Sequence, residues 1–302
     1  MAKVKVWISA ARLRTLPLSV SGILMGGAAA YYNGYSNTLI FVLALATTLA
    51  LQILSNFAND YGDGVKGTDN EKRVGPQRVL QSGKLTREGL KQGIIVTVII
   101  TLLLALLLIY VSFGSEQFLL ALLFFVLAVA SVWAAIKYTV GKSAYGYRGL
   151  GDVFVFVFFG LLSVVGTNFL FTKTINPLIF LPAVTVGFLS TAVLNLNNMR
   201  DIDNDKQSGK HTLVVKLGLM RAKKYHFILI IGAFVAMLLY LIGIAQTGSA
   251  HLYFCLVAFV PLFIHLKKVV EIKIPSLLDP ELKKVALSTF LLTVLFLVLV
   301  IV

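Results

Sequence analysis

Nine runs of mostly apolar residues, each about 16 to 24 long, divide this chain, and a helix of that length crosses a hydrocarbon core of about 30 Å. They fall at 16–32, 38–58, 92–112, 117–137, 149–172, 177–198, 225–246, 252–267 and 285–302. Within a bilayer every peptide group must be paired internally, so only helices and closed barrels can span it. A membrane barrel is built from ten-residue strands of alternating polarity, and no such strands recur in this sequence. Charged residues are 13% of the 302, about half of the roughly 25% usual in soluble domains. The fold expected is an all-α integral membrane protein, with about nine transmembrane helices bundled around a central cavity. Residues 1–302 form one polytopic domain in this reading.

The basic residues choose an orientation. Every Lys and Arg except Lys173 falls at the N-terminus or in alternate connections, among them Lys3, Lys5, Arg12, Arg14, Lys72 and Arg73. The positive-inside rule then predicts a cytoplasmic N-terminus and an outside C-terminus. The first apolar run ends in Ala28-Ala29-Ala30, as a signal peptide might, but Tyr31 and Tyr32 fit an interfacial pair ending a retained span. A net charge of +14 suits contact with anionic lipid. Nucleic acid is not an expected partner, because no compact soluble domain exists to present a groove. Cys255, alone of its kind, excludes an intramolecular disulfide and reads as a small core residue. His211, His226, His251 and His265 show no metal-ligand spacing. Gly26-Gly27 reads as a site of close helix packing, and Asp152 as a helix cap.

Against this background the scarce acids are concentrated. The stretch NDYGDGVKGTD holds Asp60, Asp63 and Asp69, and RDIDNDK holds Asp201, Asp203 and Asp205. Each opens a long basic connection, at about 59–91 and 199–224. Asn59 and Asp63 are four apart, as are Asp201 and Asp205, so each pair shares a face if its helix continues. The same interval separates the pairs (59 to 201, 63 to 205), and each cluster precedes a Gly-Lys-x-Thr, at 83–86 and 209–212. Two related halves are the expectation. Carboxylates this dense repel unless a cation stands among them. Mg²⁺ takes one or two carboxylates together with substrate phosphates, so facing clusters could clamp a diphosphate. Arg78, Lys142, Arg200, Lys206 and Lys210 would supply further positive charge.

At these residues the chain resembles the intramembrane aromatic prenyltransferases, whose two aspartate-rich motifs match Asn59–Asp69 and Asp201–Asp205. VGPQRVLQSGKLT, YTVGKSAYGYRGLGD and NNMRDIDNDKQSGKHTLVVKLG are most similar to the menaquinone branch, as is Gly67 where other branches often have Asp. The resemblance covers nearly the whole chain. It implies transfer of a polyprenyl group from an all-trans polyprenyl diphosphate to 1,4-dihydroxy-2-naphthoate, with loss of diphosphate and CO₂. It also implies two Mg²⁺ ions held by Asn59, Asp63, Asp201 and Asp205. Tyr138, Tyr145, Tyr147 and Tyr61 become candidates to line the pocket of an allylic cation, with Tyr138 and Lys142 in a motif of the family. Arg78, Tyr145, Arg200, Lys206 and Lys210 become candidate substrate contacts, with Arg78 or Lys210 on the acceptor carboxylate. Asp60 and Asp69 become candidates to bind the acceptor or take its hydroxyl proton. Lipid contact is the reading for Arg12 and Arg14. The implied location is the bacterial inner membrane, the site opening to the cytoplasm. Alternatives are another aromatic acceptor such as 4-hydroxybenzoate, and, in a different class, an ion-coupled transporter, whose carboxylates would lie near mid-membrane.

Overall fold

In a computed structural model, which describes residues 2–69, 74–245 and 249–302, helices dominate and no strand occurs among the described residues. Lys72 and Arg73 lie outside the described residues, as does the side chain of Lys3. Nine helical segments among them are long and apolar enough to cross a bilayer. They are α1 (Val4–Tyr32), α2 (Thr38–Lys66), α3 (Arg87–Phe113), α4 (Phe118–Lys137), α5 (Gly151–Thr172), α6 (Pro177–Arg200), α7 (Leu219–Ile244), α8 (Ser249–Glu271) and α9 (Pro275–Ile301).

Most depart from the apolar runs by only a few residues, because polar caps rather than hydropathy fix where they begin and end. Asn37 caps α2 by accepting from the Ile40 amide at 3.1 Å, and Thr86 caps α3 through the Gly89 amide at 3.1 Å. The larger departures are at three places. α2 continues to Lys66, and Gly67 closes it at φ 73°, a left-handed conformation that suits glycine. α9 begins at Pro275 rather than 285. α1 begins near Val4 and is interrupted at Arg12, whose backbone is left-handed (φ 52°, ψ 58°).

That interruption turns the helical segment Ala2–Ala11 back along α2. Trp7 meets Phe57 edge-on, with centroids 5.3 Å apart, and Gly93 of α3 leaves room for the indole. Arg12 is thereby part-buried on Asp60 instead of facing lipid, which corrects its expected role. Gly26 packs as expected, since a Cβ there would lie 2.4 Å from the Val164 carbonyl oxygen on α5. Residues Phe156–Gly166 of α5 form a π-helical stretch. Asp152 is a buried first-turn residue of α5, not its cap, which is Leu150.

The apolar interior falls into three clusters. The largest joins α1, α5, α6, α7, α8 and α9, with Cys255 fully buried in it. A second lies where α1–α5 approach the end opposite the aspartates, and includes Ile23, Leu108, Ile109, Phe113 and Leu170. A third, around Ala10, Phe57, Val79 and Leu90, holds the broken N-terminal helix at the aspartate end.

A polar seam crosses the largest cluster, uniting histidines that the sequence scatters. His226 of α7 and His265 of α8 are fully buried, with Nε2 atoms 2.8 Å apart, and His265 Nδ1 lies 2.6 Å from Glu281 of α9. With Glu281 ionised, His265 donates from Nδ1 and His226 donates from Nε2, so each bond has one proton to share.

Candidate active site

The first half of the site follows from the extra turns of α2. Because the helix runs through the motif, Asn59 and Asp63 share a face, as four-residue spacing requires. Thr139, just past α4, donates to the Asn59 side-chain oxygen at 3.3 Å and to the Ala58 carbonyl at 3.0 Å. Gly62 permits this approach, since a Cβ there would lie 2.5 Å from the Thr139 hydroxyl. Tyr147 donates its phenol proton to Asp63 at 2.7 Å. The Thr68 hydroxyl, 2.6 Å from the same phenol, is therefore the donor to it. Lys66 lies 3.7 Å above the Tyr147 ring.

The second motif is built differently. α6 ends at Arg200 and a short helix starts at Ile202 with Asp201 as its N-cap; the Asp205 amide donates to the Asp201 carbonyl at 2.8 Å, so the two aspartates stand one turn apart across the break. Arg200 donates to both Asp201 oxygens, at 2.9 and 2.6 Å, and to Asp279 at 2.6 Å, tying the end of α6 to the start of α9. Asp205 has a different partner, with Lys210 Nζ 3.7 Å from one oxygen. Its second oxygen is buried with no hydrogen-bond partner among the described residues.

Three connections are stitched together here. Asn204 donates to the Thr68 carbonyl at 3.1 Å, and the His211 amide donates to the Tyr147 carbonyl at 3.1 Å. Asp63 and Asp205 consequently act on one ammonium. Burial opposes charge on Lys210, but those two carboxylates outweigh it and hold its pKa above the ordinary range. Asp205 is pushed up to about 6, first by burial, then by Asp201 and Asp63, with Lys210 countering. Burial also pushes the Tyr138 phenol up to about 12.

An apolar cavity of about 350 Å³ opens beside this cluster, with Asn59, Tyr138 and Tyr145 among its lining residues. Tyr145 stacks on Phe154 at 3.8 Å and meets Tyr138 edge-on at 5.4 Å, and its hydroxyl donates to the Ala134 carbonyl at 2.8 Å. The wall is therefore aromatic, rigid and internally satisfied. Phe158, Phe159 and Leu162 from the π-helical stretch continue it.

The remaining candidate residues lie elsewhere. Asp60 leans to an adjacent face of α2, paired with Arg12 and, at 3.5 Å, with Arg78. Those three and Arg14 line a separate polar cavity of about 310 Å³. Asp69 is buried just beyond Gly67, and the Thr68 amide donates to the Asp63 carbonyl at 3.0 Å. Lys142 and Lys206 are exposed. Tyr61 packs against the cluster around Phe57, and Tyr147 serves Asp63, so neither is part of the cavity wall. Sequence reasoning missed Thr139, Thr68, Asn204 and Lys66 as parts of the site. Only their adjacency to Tyr138 and the aspartates could have flagged them.

The donor set suits a hard cation. A buried carboxylate oxygen without a donor is costly, and Asp205 presents one beside Lys210, on which Asp63 also acts, with Asn59 one turn along α2 from Asp63. Among the described residues no three His, Cys, Asp or Glu side chains gather as a closed metal cage would need. That pattern fits Mg²⁺, which takes few protein ligands and completes its shell with phosphate and water.

The model of the UbiA prenyltransferase family matches residues 19–277. A Haemophilus influenzae protein named 1,4-dihydroxy-2-naphthoate octaprenyltransferase is 42% identical over 298 residues, covering 97% of this chain and 95% of the relative. Its namesake from Escherichia coli is 43% identical over 240 residues, covering 80% and 77%. A UbiA homolog from Archaeoglobus fulgidus, solved with DMAPP and Mg²⁺, shares the fold at TM-score 0.58 and 14% identity, covering 96% of this chain and 99% of that one. Matched over most of its length by the family model and by both relatives, the chain belongs to the UbiA prenyltransferase family.

Proposed function

We propose that this integral membrane protein transfers a polyprenyl group from an all-trans polyprenyl diphosphate to 1,4-dihydroxy-2-naphthoate. Diphosphate and CO₂ leave, and demethylmenaquinol forms. One observation carries this reading: Asp63, Asp205 and Lys210 act on one another and on Tyr138, which with Asn59 lines an apolar, aromatic-walled cavity. The relatives' printed names supply the acceptor.

Asn59, Asp63 and Asp205 would hold Mg²⁺, with Asp201 serving a second ion in exchange for its present partner Arg200. When bound, Mg²⁺ neutralises charge on the departing diphosphate. Lys210 places its ammonium beside the same anion. Thr139 fixes the rotamer of Asn59, and Tyr147 fixes that of Asp63. Tyr138, Tyr145 and Phe154 form the wall beside which positive charge develops, where ring faces attract a cation and exclude water. Asp60 instead lines the separate cavity, where Arg12 and Arg78 neutralise it. We also read the chain as one domain of two related halves, with the N-terminus cytoplasmic and the site opening to the cytoplasmic face of a bacterial inner membrane.

The test is an acceptor panel with purified protein, Mg²⁺ and polyprenyl diphosphates, with products identified by mass. Prenylated dihydroxynaphthoate is expected, abolished by EDTA and restored by Mg²⁺. Transfer to 4-hydroxybenzoate alone would overturn the acceptor. Tyr147→Phe should keep the fold but free Asp63 to rotate. The Mg²⁺ concentration for half-maximal activity should rise about 10- to 100-fold, as for lost outer-shell partners elsewhere. An unchanged Mg²⁺ titration would show that Tyr147 does not orient Asp63.

A further inference from the structure

The cavity that begins beside the aspartates ends on packed aromatic rings, and we propose that this plug sets how much of the prenyl tail the enzyme accepts. The proposal rests on the prenyl-transfer reading above and deepens it. Along α2 the lining runs from Asn59 down to Ala44, roughly 22 Å at 1.5 Å per residue. Along α4 it runs from Tyr138, just past the helix, to Phe124. Ile23, Ile109 and Leu170 complete the deep end.

Phe124 is the last ring of the wall, and it does not stand alone. Phe113 lies 5.0 Å away and Phe169 is stacked on it at 5.7 Å, with ring planes 16° apart. Phe113 and Phe169 also touch, at 6.3 Å. Phe113 and Leu170 are buried in the second apolar cluster, and Phe124 and Phe169 pack against it, so Phe124 is backed by close-packed side chains. Beyond them Lys173, left-handed at φ 58°, lays its ammonium 4.5 Å over the Phe113 ring while donating to the Leu170 carbonyl. The plug is thus aromatic toward the cavity and capped by a cation on its far side. A tail entering from the diphosphate end meets the Phe124 ring after roughly the depth given above.

The middle of the channel is made of small side chains, notably Ala105, Ala128 and Gly166. Ala128 stands four residues before Ser131's neighbour Val132 and four after Phe124, one helical turn nearer the aspartates than the plug. Ring size at 124 and at 128 should therefore shift the accepted depth in opposite directions. Phe124→Ala lowers the floor. Ala128→Phe raises it by a turn.

The experiment uses the full chain in phospholipid nanodiscs with Mg²⁺ and dihydroxynaphthoate. Donors are geranyl, geranylgeranyl and octaprenyl diphosphates, and kcat/KM is compared within each variant. Phe124→Ala should raise the octaprenyl-to-geranyl ratio at least about tenfold, and Ala128→Phe should lower it by a similar factor, in the range one pocket contact can discriminate. A ratio is insensitive to the amount of active enzyme, so partial misfolding of one variant cannot mimic the result. Ratios unchanged in both variants would overturn the plug's role while leaving the activity intact. Failure of the wild-type protein to prenylate dihydroxynaphthoate from any donor would instead remove the activity, and this proposal with it.

Discussion

Asp205→Asn is expected to cut prenyl transfer by at least about a hundredfold, the loss typical of removing one preorganised electrostatic group, and Asp63→Asn by a similar factor. Both substitutions keep side-chain volume, so the loss reports charge rather than packing. Asp63→Asn still offers Tyr147 an oxygen to donate to. Asp205→Asn keeps the backbone bond from the Lys210 amide, 2.8 Å from the Asp205 carbonyl. What disappears is negative charge at the junction of the two motifs, where a divalent cation would bridge protein and diphosphate. Asp203→Asn is the contrast, since that residue is exposed. The measurement is kcat/KM for the diphosphate across a Mg²⁺ titration. Full activity in either of the first two variants would remove the metal-clamp assignment.

The spans and the approximate place of the site were legible because they depend on local pattern. Apolar runs long enough to cross a bilayer announce themselves, and so do six acids in a chain that has 13. The roles of individual acids were not legible, because facing depends on rotations that the sequence leaves open. Asp60 adjoins Asn59 in sequence, yet its carboxylate is taken by Arg12 and Arg78. Arg12 could be placed only once its left-handed backbone turned the N-terminal helix inward. Asp201 and Asp205 stand one turn apart, as their spacing suggests, but their different partners, Arg200 and Lys210, were not legible. His226 and His265, 39 residues apart, became neighbours through packing of α7 on α8. Tyr145 could be proposed for the cavity wall from its type. Thr139, which holds Asn59, carries no signal of its own.

Gly160→Val should destabilise the fold by about 3 kcal/mol, the upper end of ordinary overpacking costs, with activity lost alongside. A Cβ at Gly160 would lie 2.6 Å from the Ala183 carbonyl oxygen and 2.6 Å from the Gly187 Cα, so it meets backbone rather than a side chain that could rotate away. Gly187 answers from α6, where a Cβ would lie 2.7 Å from the Phe156 ring. Between transmembrane helices, where burial in lipid gives little drive to associate, such close backbone contact supplies much of the attraction. α5 also carries Phe158, Phe159 and Leu162 into the cavity wall, so moving it by the width of a methyl group displaces the tail's channel. Gly166→Ala separates this effect from a general intolerance of the helix. Its nearest neighbour would be the Leu162 methyl at 3.4 Å, an ordinary contact with a movable group, and alanine suits a helix better than glycine. Thermal unfolding in detergent should therefore drop sharply for Gly160→Val and hold for Gly166→Ala. Equal stability of the two variants would mean that α5 and α6 are not held by the contact of their backbones.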